Sequence, residues 1–268
     1  MGGVFRIIPT KIPSASDLGL TSHMLGLCDL TKGLIVVTGP TGSGKSTTLA
    51  SMIDHINQTQ PRHIITIEDP IEFVHPKRSC LINQREVGIH TMGFKHALRA
   101  ALREDPDIVL VGEMRDLETV SIALETAETG HLVFGTLHTN TAAATIDRII
   151  DQFPPDQQAQ IRVLLSDTLK GVIAQTLCKR RGGGRVAAHE ILIVNPAISN
   201  LIREGKTFQI PSLMQTGKAT GMRTLNGSLI ELIQNGIIDA EEGYMRAIDK
   251  QEFKAMAERK TITLKAAA

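Results

Sequence analysis

Aromatic residues are nearly missing from this 268-residue sequence, which has no tryptophan, one tyrosine and seven phenylalanines. Single-stranded nucleic acid is gripped by aromatic rings interleaved with basic side chains, and the sequence offers no such surface. Charge of either sign is not in excess: 29 Lys and Arg face 28 Asp and Glu, leaving a net +1. That balance exerts no global pull on phosphate backbones or anionic lipid, so partners must be read from local sites. The cysteines, Cys28, Cys80 and Cys178, are odd in number and far apart. They fit neither a disulfide framework nor a zinc knuckle, and a reducing compartment is the simple inference. No run approaches 18 consecutive apolar residues, and Met1–Lys11 lacks the charged segment and apolar run of a signal peptide. The expectation is a cytosolic chain whose membrane contacts are indirect.

What is present is an ordinary globular composition, 42% hydrophobic and 21% charged. At about 150 residues per domain the length suits one large domain with a small satellite. Residues 1–32 read as a lead-in segment with turns at Pro9, Pro13 and Gly19 and one short helix around Leu18–Leu27. From Leu34, β-branched runs bounded by Gly or Pro alternate with helical periods, the pattern of βαβ units and a parallel sheet. Buried strands are expected at Leu34–Thr38, His63–Ile67, Ile108–Val111 and Leu132–Thr136. Between them, Leu49, Met52, Ile53 and Ile56, then Phe94, Leu98, Ala101 and Leu102, then Val120, Ala123, Leu124 and Ala127 recur at helical spacing. Asp116 is the expected N-cap of the last set and Gly130 its C′ residue. Gln157–Ala174 reads as one long helix, and Gln175–Lys179 with Val186–Val194 as a hairpin around Gly182, Gly183 and Gly184. From Pro196 the pattern is helical, with Leu225, Leu229, Leu232 and Ile233 on one face and Gly205 and Gly236 as stops. The charged tail, Asp249–Ala268, is expected to fray. The chain is therefore an α/β protein: a lead-in over 1–32, a core over 33–195, a helical subdomain over 196–248 and a tail over 249–268.

The chemistry gathers at strand ends. Gly39-Pro40-Thr41-Gly42-Ser43-Gly44-Lys45-Ser46 matches GxxxxGK[ST] after an expected strand and before an expected helix, the context that motif requires. Glycines let successive backbone N–H groups turn around phosphate oxygens, and the helix presents its positive end to the same anion. Thr41, Gly42, Ser43, Gly44, Lys45, Ser46 and Thr47 are thus the candidate nucleotide-binding residues, with Lys45 on the β- and γ-phosphates and Ser46 on Mg²⁺. Glu113 ends the apolar strand Asp107–Val111 and is placed to orient or deprotonate an attacking water. Glu68, Asp69 and Glu72 follow the second strand as either a functional acidic group or a solvated loop. His138 stands at the carboxyl edge of the fourth strand, whereas His131 precedes that strand and reads as structural. Because the C-terminal ends of parallel strands face one crevice, Lys45, Glu68–Glu72, Glu113 and His138 are expected to converge. Arg99, Arg103, Arg115, Arg148 and Arg162 are candidates to reach a neighbouring subunit's nucleotide, and Arg180, Arg181 and Arg185 form a charged hairpin tip.

Together, GPTGSGKST at 39–47, ITIEDPIEF at 65–73, DPDIVLVGEMRDLET at 105–119 and TGHLVFGTLHTN at 129–140 resemble the Walker A, Asp box, Walker B and His box of secretion-superfamily ATPases. Within that group the chain resembles the type IV pilus retraction ATPases from about Val4 to Ile248, with further matches at NQREVG 83–88, GGGRVAAHEI 182–191 and PAISNLIRE 196–204. The resemblance implies a RecA-like P-loop core with a mostly parallel sheet. It also implies Mg-ATP on Lys45 and Ser46, with Glu72 and Glu113 serving metal and water and His138 sensing the γ-phosphate. By the same resemblance the working form is a homohexamer at the cytoplasmic base of the pilus, acting on an inner-membrane platform protein. Assembly relatives carry a four-cysteine zinc element, which three scattered cysteines cannot form. In the family an N-terminal domain precedes the segment here at Phe5–Pro9 and supplies arginines, so the resemblance implies that residues 1–32 are the linker from such a domain. Ser199 stands where the family signature has arginine. Other readings stay open on the residues alone: an assembly or type II secretion ATPase, a P-loop phosphotransferase, a RecA-like nucleic-acid motor, or a nucleotide-gated scaffold.

Overall fold

A computed structural model describes residues 11–260 and 262, so the Phe5–Pro9 segment lies outside the described residues. In chain order the elements are α1 (Ser22–Gly26), β1 (Gly33–Thr38), α2 (Lys45–Thr59), β2 (His63–Glu68), β3 (Leu81–Glu86), α3 (Phe94–Ala101), β4 (Ile108–Val111), α4 (Leu117–Glu128), β5 (Leu132–Leu137), α5 (Ala142–Asp151) and α6 (Gln158–Thr168). They continue with β6 (Leu169–Lys179), β7 (Arg185–Ile193), α7 (Pro196–Arg203), α8 (Ile210–Thr216), α9 (Leu225–Gln234), α10 (Ala240–Arg246) and α11 (Lys250–Arg259). The seven strands are ordered β3-β2-β4-β5-β1-β6-β7, a mostly parallel α/β sheet as expected. The chain divides into two compact units, one of the described residues up to Leu34 with Ser46–Thr136, the other of Ile35–Lys45 with the described residues from Leu137 on.

In the first unit β2 pairs in parallel with β3 and β4, and β4 with β5. Every residue of β4 is buried, as are Ile64–Ile67 of β2, which is why these strands read as unbroken apolar runs rather than alternating ones. α4 starts where its signals place it. Asp116 accepts the Thr119 N–H at 2.9 Å and its hydroxyl at 2.8 Å, and Gly130, with φ +117°, takes the backbone past the helix end. β3 has no counterpart in the sequence reading. It is the outermost strand, and LINQRE is mostly polar and partly exposed, so it carries no apolar period to detect.

The second unit holds the antiparallel β6/β7 pair, registered from Gly171↔Ile193 to Lys179↔Arg185. Its turn is Gly182, Gly183 and Gly184, with φ of +80°, +107° and +79°, a run that residues with a Cβ rarely adopt. Two expectations fail here. The long helix over Gln157–Ala174 ends at Thr168, and Leu169–Ala174 is strand: the apolar spacing Ile161, Leu165, Leu169, Ile173 fits a helix, but ladder pairing of Gly171–Ala174 with β7 decides the conformation. The expected fraying tail contains α11, capped by Asp249 accepting from Gln251 N at 2.9 Å and Glu252 N at 2.8 Å. Phe253 and Ala257, fully buried, join Cys178, Ala188, Leu225, Leu229, Ile230, Ile238 and Ala247 in one apolar cluster. That cluster also unites hairpin residues with helices from beyond the expected boundary at 195.

Within the same unit Glu190 of β7 is buried and serves two helices. One oxygen accepts from Ala142 N at 2.7 Å and the other from Leu225 N at 3.4 Å, the first residues of α5 and α9. Burial pushes its carboxyl above the ordinary carboxylate range, against those two N–H bonds. Its neighbour His189 is pushed down to about 4, chiefly by burial and secondarily by Arg223.

Candidate nucleotide site

The loop after β1 turns on positive φ at Gly39 (+145°), Gly42 (+76°) and Gly44 (+89°). At Gly39 the crowding is specific, since a Cβ would lie 2.3 Å from the Gln175 backbone oxygen and 2.6 Å from Ser43 Oγ. Gln175, buried in β6, also braces the loop by donating from Nε2 to Ser43 O at 2.7 Å. Among the described residues the Ser43 hydroxyl is buried without a hydrogen-bond partner, while the Ser43 N–H donates to Pro40 O at 3.1 Å. Lys45 Nζ donates to Gly39 O at 2.8 Å and Pro40 O at 3.3 Å, so the ammonium lies across the loop it would share with a phosphate. It also lies 3.3 Å from His138 Nδ1. An ammonium only donates, so this contact makes Nδ1 the acceptor and puts the imidazole proton on Nε2. Thr38 Oγ1 lies 2.8 Å from both the carbonyl and the hydroxyl oxygen of Thr139, which fixes the chain just beyond His138.

In the first unit Ser46 Oγ donates to Glu72 Oε1 at 2.7 Å, which joins two expected site residues across 26 positions of sequence. Glu68, largely buried, accepts the Thr66 hydroxyl at 2.6 Å, Gln84 Nε2 at 3.1 Å and the Glu72 backbone N–H. Its pKa nonetheless rises, because desolvation outweighs those bonds. Glu113, at the end of β4, pairs with Arg115 Nε at 2.5 Å; of the arginines considered, Arg115 is thereby placed beside an expected catalytic carboxylate. Thr136 bonds its hydroxyl to Gly112 O, and Gly112 N donates to Ile67 O at 2.7 Å, which fixes the peptide before Glu113. His131 has the structural place expected of it, with Nδ1 donating to Thr126 O at 3.1 Å. Ser199, which stands where the family signature has arginine, is half-buried and donates to Ser166 O at 2.8 Å. Arg181 of the hairpin tip pairs with Asp239 at 2.6 Å.

Comparison with known proteins gives the chain a family. The sequence profile described as "Type II/IV secretion system protein" matches residues 16–246. The chain belongs to that family. Among secretion-system relatives, the Pseudomonas aeruginosa type IV pilus retractation ATPase PilT is 57% identical over 252 residues, spanning 94% of this chain and 73% of its own. A Neisseria gonorrhoeae twitching motility protein is 57% identical over 251 residues, 93% of this chain and 67% of its own. The crystal structure of the pilus retraction motor PilT with bound ADP superposes with a TM-score of 0.89 at 57% identity, covering 94% of this chain and 71% of that one. The Legionella pneumophila ATPase DotB follows at 0.82 and 32% identity, covering 90% and 66%.

Sequence reasoning missed several residues that brace the candidate segments. Gln175 braces the phosphate loop, and its signal was a lone amide inside a buried strand. Asn57 of α2 is fully buried: Nδ2 donates to Pro76 O at 2.8 Å, Oδ1 accepts from Cys80 N at 3.1 Å, and the backbone oxygen accepts from Ser79 N at 3.0 Å. It straps the segment after Glu72 to α2, the helix that carries Ser46, and an asparagine among helical apolar residues was its only mark. Gln84 and Glu86 of β3 had none beyond their place in NQREVG.

Proposed function

We propose that this chain is the ATPase of a type IV pilus retraction motor, converting ATP and water to ADP and phosphate and coupling that cycle to pilin disassembly. The observation that carries the reading is 57% identity with retraction ATPases across nearly the whole of this chain. Assembly relatives need a four-cysteine zinc element; Cys28, Cys80 and Cys178 are far apart in the sequence, each buried and free of any disulfide, which favours retraction. The chain works as a homohexameric ring at the cytoplasmic base of the pilus, against a platform protein of the inner membrane. No helix among the described residues is long and apolar enough to cross a membrane.

Each residue has a task in that chemistry. Backbone N–H groups from Thr41 to Thr47 and the start of α2 hold the β- and γ-phosphates, and Lys45 turns its ammonium from the Gly39 and Pro40 carbonyls to their charge. Ser46 and Glu72 are hard oxygen donors of the kind magnesium takes, already within bonding distance of one another. Bound there, Mg²⁺ neutralises charge on the phosphate oxygens. Glu113 orients the attacking water and accepts its proton, with the Arg115 guanidinium paired to its carboxylate. His138 accepts from Lys45 through Nδ1 and offers Nε2–H to a γ-phosphate oxygen, so its bond reports whether that phosphate is present. The test is a pair of variants. Lys45→Ala abolishes ATP binding, whereas Glu113→Gln binds ATP and loses hydrolysis, since it removes the base and leaves the loop intact. Complementation of a non-twitching strain by wild type and by neither variant supports the motor role; equal hydrolysis by wild type and Glu113→Gln refutes the assignment of Glu113.

A further inference from the structure

β2 and β3 run in parallel with Thr66 opposite Gln84 and Glu68 opposite Glu86. Side chains alternate along a strand, so these four share one face and form a polar platform at the carboxyl end of the pair. The segment bearing Glu72 is tied to it on both sides. Glu86 accepts the Ile71 N–H at 3.0 Å, and Glu68 accepts the Glu72 N–H. Gln84 contributes more than the others: Nε2 donates to Glu68 Oε1 at 3.1 Å and Phe73 O at 2.8 Å, while Oε1 accepts the His75 N–H at 2.9 Å. One amide therefore holds two peptides beyond Glu72 and also the carboxylate that holds Glu72's own peptide.

We propose that Gln84 is the positioning residue of this ATPase site, fixing the Glu72 carboxylate against Ser46 without touching nucleotide or metal itself. Both of its hydrogens and its oxygen are used, so no other side chain of that size replaces it: leucine fills the volume and makes none of the three bonds, and glutamate accepts from His75 but cannot donate to Phe73 or Glu68. The inference rests on the proposed role of Glu72, and the experiment separates the two.

The full chain is compared as wild type, Gln84→Leu, Glu72→Gln and the double variant. Outer-shell partners of a metal-binding carboxylate are worth about 10–100-fold in affinity or activity. Gln84→Leu is therefore expected to lower kcat at least tenfold with KM for ATP within twofold, and to raise the Mg²⁺ concentration needed for half-maximal rate. In the metal-free, nucleotide-free protein, amide hydrogen exchange in the peptide containing His75 is expected to accelerate at least tenfold, while that of α2 is unchanged. In the Glu72→Gln background Gln84→Leu is expected to add no further loss. If Glu72→Gln hydrolyses ATP at the wild-type rate, the role of Glu72 falls and this inference with it. If Glu72→Gln is slow but Gln84→Leu stays within twofold in rate and exchange, or if the two losses multiply in the double variant, the inference alone is overturned. Should Gln84→Leu fail to fold, Gln84→Asn, which keeps the amide and shortens its reach, is judged by the same rate and exchange criteria.

Discussion

Replacing Gly39 by alanine separates what the phosphate loop owes to backbone conformation from what it owes to space. At φ +145° a residue with a Cβ is strained, and such outliers cost about 1–3 kcal/mol. The added carbon also meets the Gln175 carbonyl oxygen at 2.3 Å and Ser43 Oγ at 2.6 Å. Ser43 can rotate, but the carbonyl is backbone of β6, a strand paired along its length with β7, and can yield only by shifting that backbone, an overpacking cost of about 1–3 kcal/mol. The sum, about 2–6 kcal/mol, is large against a total stability of roughly 5–15 kcal/mol, and at about 2 °C per kcal/mol for a chain of this size it lowers Tm by about 4–12 °C. Two other glycines supply the separate contributions. Gly42→Ala meets nothing within 4 Å but keeps φ +76°, so it loses about 1–2 kcal/mol from conformation. Gly112→Ala has ordinary φ but meets Ile67 O at 2.9 Å, so it loses about 1–3 kcal/mol from crowding. Thermal unfolding of the three variants is the assay. A Gly39→Ala protein no less stable than Gly42→Ala would refute the claim that the Gln175 carbonyl sets the space available to the loop.

Removing the side chain of Asn57 leaves Cys80 N–H and Pro76 O without partners, so Asn57→Ala is expected to lose about 2–4 kcal/mol in urea unfolding; a loss under about 1 kcal/mol would contradict the strap. His189, held down to about 4 while the unfolded chain titrates near 6.5, contributes stability that is intact above that unfolded value and is lost as pH falls from 6.5 toward 4, by about 1.4 kcal/mol per pH unit. Glu190, with its pKa raised, opposes part of this in the acid end of the window. His189→Gln is thus less stable than wild type at pH 7.5 but closes the gap by pH 4.5, and a gap in Tm independent of pH would refute the assignment. Finally, Asn200→Ala with Arg203→Ala alters the exposed side of α7, where Arg203 pairs with Asp167 at 3.1 Å. Pilus retraction is expected to fall far more than ATPase rate, and parallel loss of both would make α7 a packing element only.

The elements legible in the sequence are those whose signal is local. β4 was expected at Ile108–Val111 and stands there, because a buried parallel strand must be apolar at every position. The start of α4 was marked by a capping aspartate and its end by a glycine. β6 was not legible over Leu169–Ala174, since its conformation is set by pairing with residues about 20 positions later. α11 was hidden by its lysines and glutamates: two buried side chains four residues apart, Phe253 and Ala257, are enough to fix it once a partner surface exists. Among the candidate site residues, those with singular chemistry stood out in the sequence: Lys45, Ser46, Glu72, Glu113 and His138. Those that place them did not, because an amide such as Gln84, Asn57 or Gln175 has no spacing rule and is meaningful only through what it touches.

Glu190 is the one side chain on which α5 and α9 both begin. A group with two acceptors can be exchanged only for another with two acceptors at the same reach, so glutamine, ordinarily the mildest substitute, leaves one helix start facing an amide hydrogen. Sharing a single anchor also has a mechanical meaning. The segment that leaves β5 through His138 reaches its helix at Ala142, and the last helical layer reaches its own at Leu225, on opposite oxygens of one carboxylate. A displacement of either helix start is felt at the other through the two carbon–oxygen bonds of one carboxylate, with no loop between them to absorb it.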